Sequence, residues 1–147
     1  GLAPVAVVKT SDVAHHGRAS VEQPLTLADS AKAQTDVAEL AIIGIPPRPV
    51  EQHRRVNAGV VNVGTIPATF RVSVRDRNGR AIGKGVESGV PEDHVWFVHD
   101  VEAQTGVKLD ETMTLRITAI AGTGVGFATV VTGGDSEFIA AIPAQQQ

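Results

Sequence analysis

The sequence predicts an all-β fold: an antiparallel two-sheet β-sandwich carrying one short helix near residues 100–106. Three observations carry that expectation. Apolar and polar residues alternate at period two in several segments, most cleanly at 69–75 and 112–119. Turn residues separate short strand-like runs at spacings of roughly 8–12 residues, the rhythm of a sandwich. Helical patterns alternating with strands, which a parallel sheet needs, are missing. At 147 residues the chain fits one domain, residues 1–147, since domains typically hold about 100–200 residues.

Taken in order, Pro4–Lys9 and Ala38–Ile43 read as strands. Ser11–Ser30 mixes Ser, Asp, His, Gly and Pro with few apolar residues and reads as loop or irregular structure, and residues 28–38 favour a helical turn without an apolar stripe. Residues 1–50 are thus the less regular part. Ile45-Pro46-Pro47-Arg48-Pro49 is a stiff extended connector. Val56–Val63 resumes as a strand, and Gly64–Pro67 turns it.

Thr69–Arg75 places Phe70, Val72 and Val74 on one face and Arg71, Ser73 and Arg75 on the other. The next five residues, Asp76–Arg80, form a tight hairpin turn, with Asn78 and Gly79 expected as its two positive-φ residues, and the chain returns through Ala81–Val86. His94–His99 is a short strand around Trp96. Asp100 then caps a helix with Glu102 and Gln104 in its first turn and Gly106 as its stop. Thr112–Ala119 alternates with Met113, Leu115 and Ile117 inward and Arg116 outward. Val125–Val131 is a strand, Thr132–Ser136 a turn, and Glu137–Ile142 the last strand, ended by Pro143 ahead of a loose tail at 145–147. Glycines inside strands, at 59, 83 and 126, predict bulges or close approach of the sheets.

Composition excludes several classes. Lys plus Arg number 13 against 16 Asp plus Glu, a net charge of −3, so no net basic field exists to hold nucleic acid. Four Phe, one Trp and no Tyr, scattered and mostly at core-phase positions, give no stacking platform for single strands either. No run approaches the length needed for a membrane-spanning helix. Zero Cys removes disulfide scaffolds, cysteine metal sites and thiol nucleophiles, and it is compatible with an extracellular home. Since 42% of residues are hydrophobic but only 3% aromatic, the core is expected to be Val, Ile, Leu and Ala. The sequence begins at Gly1 rather than Met, the start expected of a cleaved precursor or of a piece of a longer protein.

Candidate chemistry is sparse. His94 and His99 differ by an odd number along a strand and so point to opposite faces; His15 and His16 adjoin each other, and no zinc-type histidine spacing occurs. No nucleophile elbow is present around Ser88, and the glycine run Gly122–Gly126 precedes a strand rather than a helix, so it offers no phosphate cradle. No enzyme and no cofactor are expected. Three sets of residues remain as candidates. Asp135 and Glu137 would hold calcium if a neighbouring loop added oxygens. Trp96 would stack on a sugar if exposed, while outward Arg71, Arg75 and Arg116 would meet an acidic partner or polysaccharide if they cluster across strands. Leu2, Val5 and Val7, in the apolar N-terminal segment, would add as an edge strand to a second copy, making an oligomer or filament.

From about Arg54 to Gln145 the chain resembles immunoglobulin-like β-sandwich modules of secreted or cell-surface bacterial proteins. The resemblance rests on Arg55–Asn62 leading into Pro67–Val72, the Asp76–Gly79 hairpin and the Trp96 strand. It continues through the short helix before Gly106-Val107, Ala128–Val131, and the Phe138-Ile139 strand before Pro143-Ala144-Gln145. It implies an immunoglobulin-like sandwich, secretion or display at the cell surface, and a non-catalytic structural, adhesive or assembly role with protein partners, self or cell-surface. The alternative is a calcium- or glycan-binding accessory module of a larger secreted protein.

Overall fold

A computed structural model describes residues 6–12, 18–25, 39–48, 53–133 and 135–143. In chain order the elements are β1 (Ala6–Asp12), β2 (Arg18–Leu25), β3 (Glu39–Ile42), β4 (Arg54–Asn62), β5 (Ala68–Arg75), β6 (Ala81–Val90), β7 (Val95–Val98), α1 (Val101–Thr105), β8 (Thr114–Ala121), β9 (Gly124–Thr132), β10 (Asp135–Ala140) and β11 (Ile142–Pro143). Two antiparallel sheets form the body, one of four strands ordered β10-β9-β4-β7 and one of five ordered β11-β3-β8-β5-β6. This is the all-β sandwich that the alternation predicts.

Its core lies between the sheets. Val56, Ala58 and Val60 of β4 and Ala128 and Val130 of β9 meet Leu40 and Ile42 of β3, Phe70, Val72 and Val74 of β5, and Leu115 and Ile117 of β8. Apart from Phe70 the buried cluster is Ala, Val, Leu and Ile, as the composition requires, and each fully buried large side chain contributes about 1.5–3 kcal/mol. Inward residues alternate strictly along β5. In β4 they do not, because this central strand is buried on both faces.

The second face of β4 explains where the other phenylalanines go. Phe127 of β9 is fully buried on the side away from the main core, opposite Gly59. Its ring lies 5.6 Å from that of Phe97 and 5.5 Å, stacked, from that of Phe138. Gly59 is required there, since a Cβ would sit 2.2 Å from the ring. The scattered phenylalanines are therefore not mostly in the central core: three of them form a row across the outer face of the four-stranded sheet, which only strand order could bring together.

Helix α1 follows its expected design. The Asp100 side chain accepts from the Ala103 N–H, and Gly106, in the left-handed region, donates its N–H to the Glu102 carbonyl. The hairpin after β5 differs from expectation. Among the described residues of this turn only Gly79 has positive φ, 78°. The Asp76 carbonyl accepts from the Gly79 N–H at 3.0 Å, and its carboxylate accepts from the backbone N–H groups of Asn78 and Arg80 at 2.9 Å each. Asp76 thus favours a type I turn closed by a left-handed glycine, and Asn78 stays out of the left-handed region. Beyond the turn, register slips between Val72/Val86 and Val74/Ile82, so the bulge expected at Gly83 is present, with φ 68°.

Two further differences concern the ends. Ser11–Ser30 is not irregular throughout: β1 and β2 pair antiparallel from Ala6↔Leu25 to Asp12↔Arg18 as a separate two-stranded sheet. Main-chain pairing carries a ribbon of this kind without the alternating apolar face that the sequence lacks. Residues 28–38 lie outside the described residues. At the other end the expected last strand breaks before it reaches Pro143. The chain leaves β10 at Ala140, Ala141 donates to the Gly126 carbonyl at 3.0 Å, and Ile142-Pro143 crosses to the other sheet, paired with Ala41 and Leu40. An edge position tolerates the missing N–H of proline.

Candidate functional site

The polar side chains of β5 converge with those of its neighbours on the outer face of the five-stranded sheet. Arg71, Ser73 and Arg75 recur at i, i+2 and i+4 and share that face. Register sets Arg71 opposite Thr118, Ser73 opposite Arg116 and Arg75 opposite Thr114 in β8, while Glu39 of β3 lies opposite Thr118 and Glu87 of β6 opposite Arg71. Pairing thereby brings Arg71, Arg75 and Arg116 into one patch, the clustering that the alternation alone left open.

Charge within the patch is unequally matched. Arg71 pairs with Glu87, both well exposed. Glu39 serves two guanidiniums: its Oε1 accepts from Arg75 Nη2 at 3.3 Å and its Oε2 lies 3.6 Å from Arg116 Nη1. The Thr118 hydroxyl reaches Glu39 Oε1 at 3.5 Å, and Arg75 Nη1 also donates to the Gly79 carbonyl at 3.0 Å. Among the described residues, buried Arg116 Nε has no hydrogen-bond partner. Among the described residues three cations thus face two carboxylates, in a chain whose net charge is −3.

A depression of about 360 Å³ opens beside them, lined by Arg71, Ser73, Arg75 and Thr118 and by Gly83 and Gly85 of the bulge. Its volume is that of a small-ligand cleft. Gly85 leaves backbone exposed beside Arg71, where a Cβ would stand 3.4 Å from the Arg71 side chain. Chemically the site offers guanidinium forks and hydroxyls, a set that recognises carboxylates.

The other candidate residues are dispersed. Trp96 lies opposite Val60 and packs against the main core, half-buried, so its ring is not an open stacking surface for sugar. Asp135 and Glu137 are exposed on β10, and among the described residues no group of three or more His, Asp or Glu is placed to hold a metal ion. The His94 ring nitrogen Nδ1 lies 2.7 Å from the Glu92 carbonyl; His99 stands beside the Phe97 ring. Leu2 and Val5 lie outside the described residues, as do His15 and His16. Val7 is paired with Pro24 in the β1–β2 ribbon, not with either sandwich sheet. Among the described residues no helix is long and apolar enough to cross a membrane.

Sequence reasoning missed the two carboxylates of the patch and Ser73 as its midpoint. Glu39 and Glu87 sit on strands whose neighbours no local signal reveals.

No protein-family model matches the chain, and no curated protein matches it. Among solved structures, the crystal structure of Thermotoga maritima 1070 is similar with a TM-score of 0.49 at 8% identity, over 75% of this chain and 95% of that one.

Proposed function

We propose that this chain is a non-catalytic assembly or adhesion module of immunoglobulin-like type, secreted or displayed at the cell surface, which holds an acidic protein partner against the outer face of its five-stranded sheet. The observation that carries this reading is the patch of Arg71, Arg75 and Arg116, whose guanidiniums outnumber the two carboxylates that face them. A rigid sheet fixes their spacing at no cost to binding, and guanidinium forks suit carboxylates better than ammonium groups do. Local positive charge on an acidic chain also steers an acidic partner to one face and away from the rest.

Poly-glutamate binding to the wild-type chain and to the Arg71→Gln/Arg75→Gln/Arg116→Gln variant tests this. Binding at low salt that falls steeply as salt rises, and that is lost in the variant, is the expected result. Equal binding by the two proteins would overturn it.

A further inference from the structure

The excess charge of the arginine face sits at one place. Glu87 stands opposite Arg71 and, among the described residues, pairs with it alone. Glu39 is divided between Arg75 and Arg116 at 3.3 and 3.6 Å, and among the described residues the buried Nε of Arg116 has no acceptor. Two guanidiniums share one carboxylate, and both of its contacts are longer than the roughly 2.7–2.9 Å of a well-made charged hydrogen bond.

Strand geometry then sets which anion fits. Side chains on one face of a strand recur every second residue, about 6.6–6.8 Å apart. Arg71 and Arg75 occupy the first and third such positions, while Arg116, opposite Ser73, occupies the second. An extended peptide has this same repeat along its own face. A carboxylate between Arg75 and Arg116 and another two residues on, between Arg116 and Arg71, would both lie along the β5–β8 side of the patch, next to the depression that Arg71, Ser73, Arg75 and Thr118 line.

Resting on the acidic-partner reading above, we infer that the ligand of this face is an extended segment of a partner protein with carboxylate side chains on alternate residues, laid along β5. Arg75 and Arg116 hold the first carboxylate. Arg71 takes the second by exchanging its solvent-exposed pairing with Glu87, which costs little because exposed ion pairs are worth about 0–1 kcal/mol.

The test uses two synthetic peptides of identical composition, one alternating Glu with Thr and one with the same residues in two-residue blocks (Glu-Glu-Thr-Thr), in which no two Glu stand two residues apart, together with polygalacturonate as a carboxylate polysaccharide. Anisotropy titrations are expected to show the alternating peptide binding about tenfold more tightly than the block peptide, the size of one charge-assisted hydrogen bond. Arg75→Gln and Arg116→Gln are each expected to erase that preference, and Arg55→Gln, an exposed charge on the other sheet, to leave it unchanged. Should Arg116→Gln fail to melt cooperatively, Arg75→Gln alone decides. Equal binding of the two peptides overturns the alternating register yet leaves the acidic-partner reading standing. Binding of polygalacturonate alone overturns the peptide in favour of a polysaccharide, and binding of none of the three removes both readings.

Discussion

Arg54 Nη2 donates to Glu102 Oε1 at 2.8 Å from a side chain with no solvent exposure, and this pair ties the start of β4 to α1. The same guanidinium donates to the carbonyls of Pro46 and of Leu109, the latter at 2.6 Å. Glu102 in turn accepts from the Leu109 N–H at 2.9 Å and from Arg48. Four stretches of chain therefore close on one buried cation. Removing the carboxylate leaves that cation uncompensated, so Glu102→Ala is expected to cost about 3–5 kcal/mol. Arg48→Ala, losing a partner whose side chain is 40% exposed, is expected to cost under about 1 kcal/mol. Urea unfolding of the two variants checks this, and equal losses would show that the buried pair is not what holds α1.

The same carboxylate gives the fold a defined acid sensitivity. Burial would raise the Glu102 pKa, but hydrogen bonds from Arg48, the Leu109 N–H and Arg54 outweigh it and hold the value below the ordinary 4.5. A carboxyl whose folded pKa lies below its unfolded one stabilises the fold above the unfolded value and loses that contribution as pH falls toward the folded one. Wild-type stability is therefore expected to decline below about pH 4.5, while Glu102→Gln starts less stable and declines less steeply. Some acid slope persists in the variant, because Asp110 is also held low by the hydroxyl and N–H of Thr112. Parallel pH profiles for the two proteins would refute the assignment.

How much of this was legible in the sequence follows from which contacts are local. The β5 alternation, the Asp100 cap and the Gly106 stop involve residues within a few positions of one another, and they stand where the pattern puts them. The turn at Asp76 was legible in place but not in type, since the choice fell to a side-chain carboxylate acting on two backbone N–H groups. Arg71, Arg75 and Arg116 were readable as outward residues, yet their meeting depends on β5 and β8 lying side by side, and Glu39 joins them from a strand more than thirty positions before Arg75. Phe97, Phe127 and Phe138 gather for the same reason, across the order β7-β4-β9-β10. Period-two patterning tells which face a residue takes and never which strand lies beside it.

Gly83 separates backbone conformation from space. Its φ of 68° is one that side chains rarely adopt, and a Cβ would stand 2.2 Å from Val107 Cγ2 and 2.6 Å from the Thr105 carbonyl oxygen. Gly106 has a similar φ of 73° with nothing near its would-be Cβ. Gly106→Ala is expected to cost about 1–2 kcal/mol, the strain of the left-handed region alone. Gly83→Ala must in addition push the end of α1 away from β6 and is expected to cost clearly more. Denaturant midpoints of the two variants measure the difference; equal losses would mean that the bulge yields without disturbing α1.

Asn62 closes one end of the sandwich by chemistry that its nearest isostere reverses. The side chain is fully buried. Its Nδ2 donates toward the carbonyls of Ile66, Val90 and Pro91 at 2.8, 3.1 and 3.1 Å, and its Oδ1 accepts from the Gly64 N–H at 2.9 Å. Asn62→Ala strands those groups and is expected to cost about 1–3 kcal/mol. Asn62→Asp keeps the shape but turns an oxygen toward three carbonyl oxygens, and as a carboxylate it adds a buried charge whose described hydrogen-bond partners are backbone groups and no cation. It is therefore expected to be less stable than the alanine variant at neutral pH. Burial raises the pKa of the introduced carboxyl above its unfolded value, so the penalty is greatest above that raised value and fades as pH falls from there to the unfolded value. Protonation also restores one donor to the carbonyls. The gap between the two variants should then narrow in acid, and a gap that stays constant from neutral to acidic pH would show that Asn62 acts by filling space and not by donating.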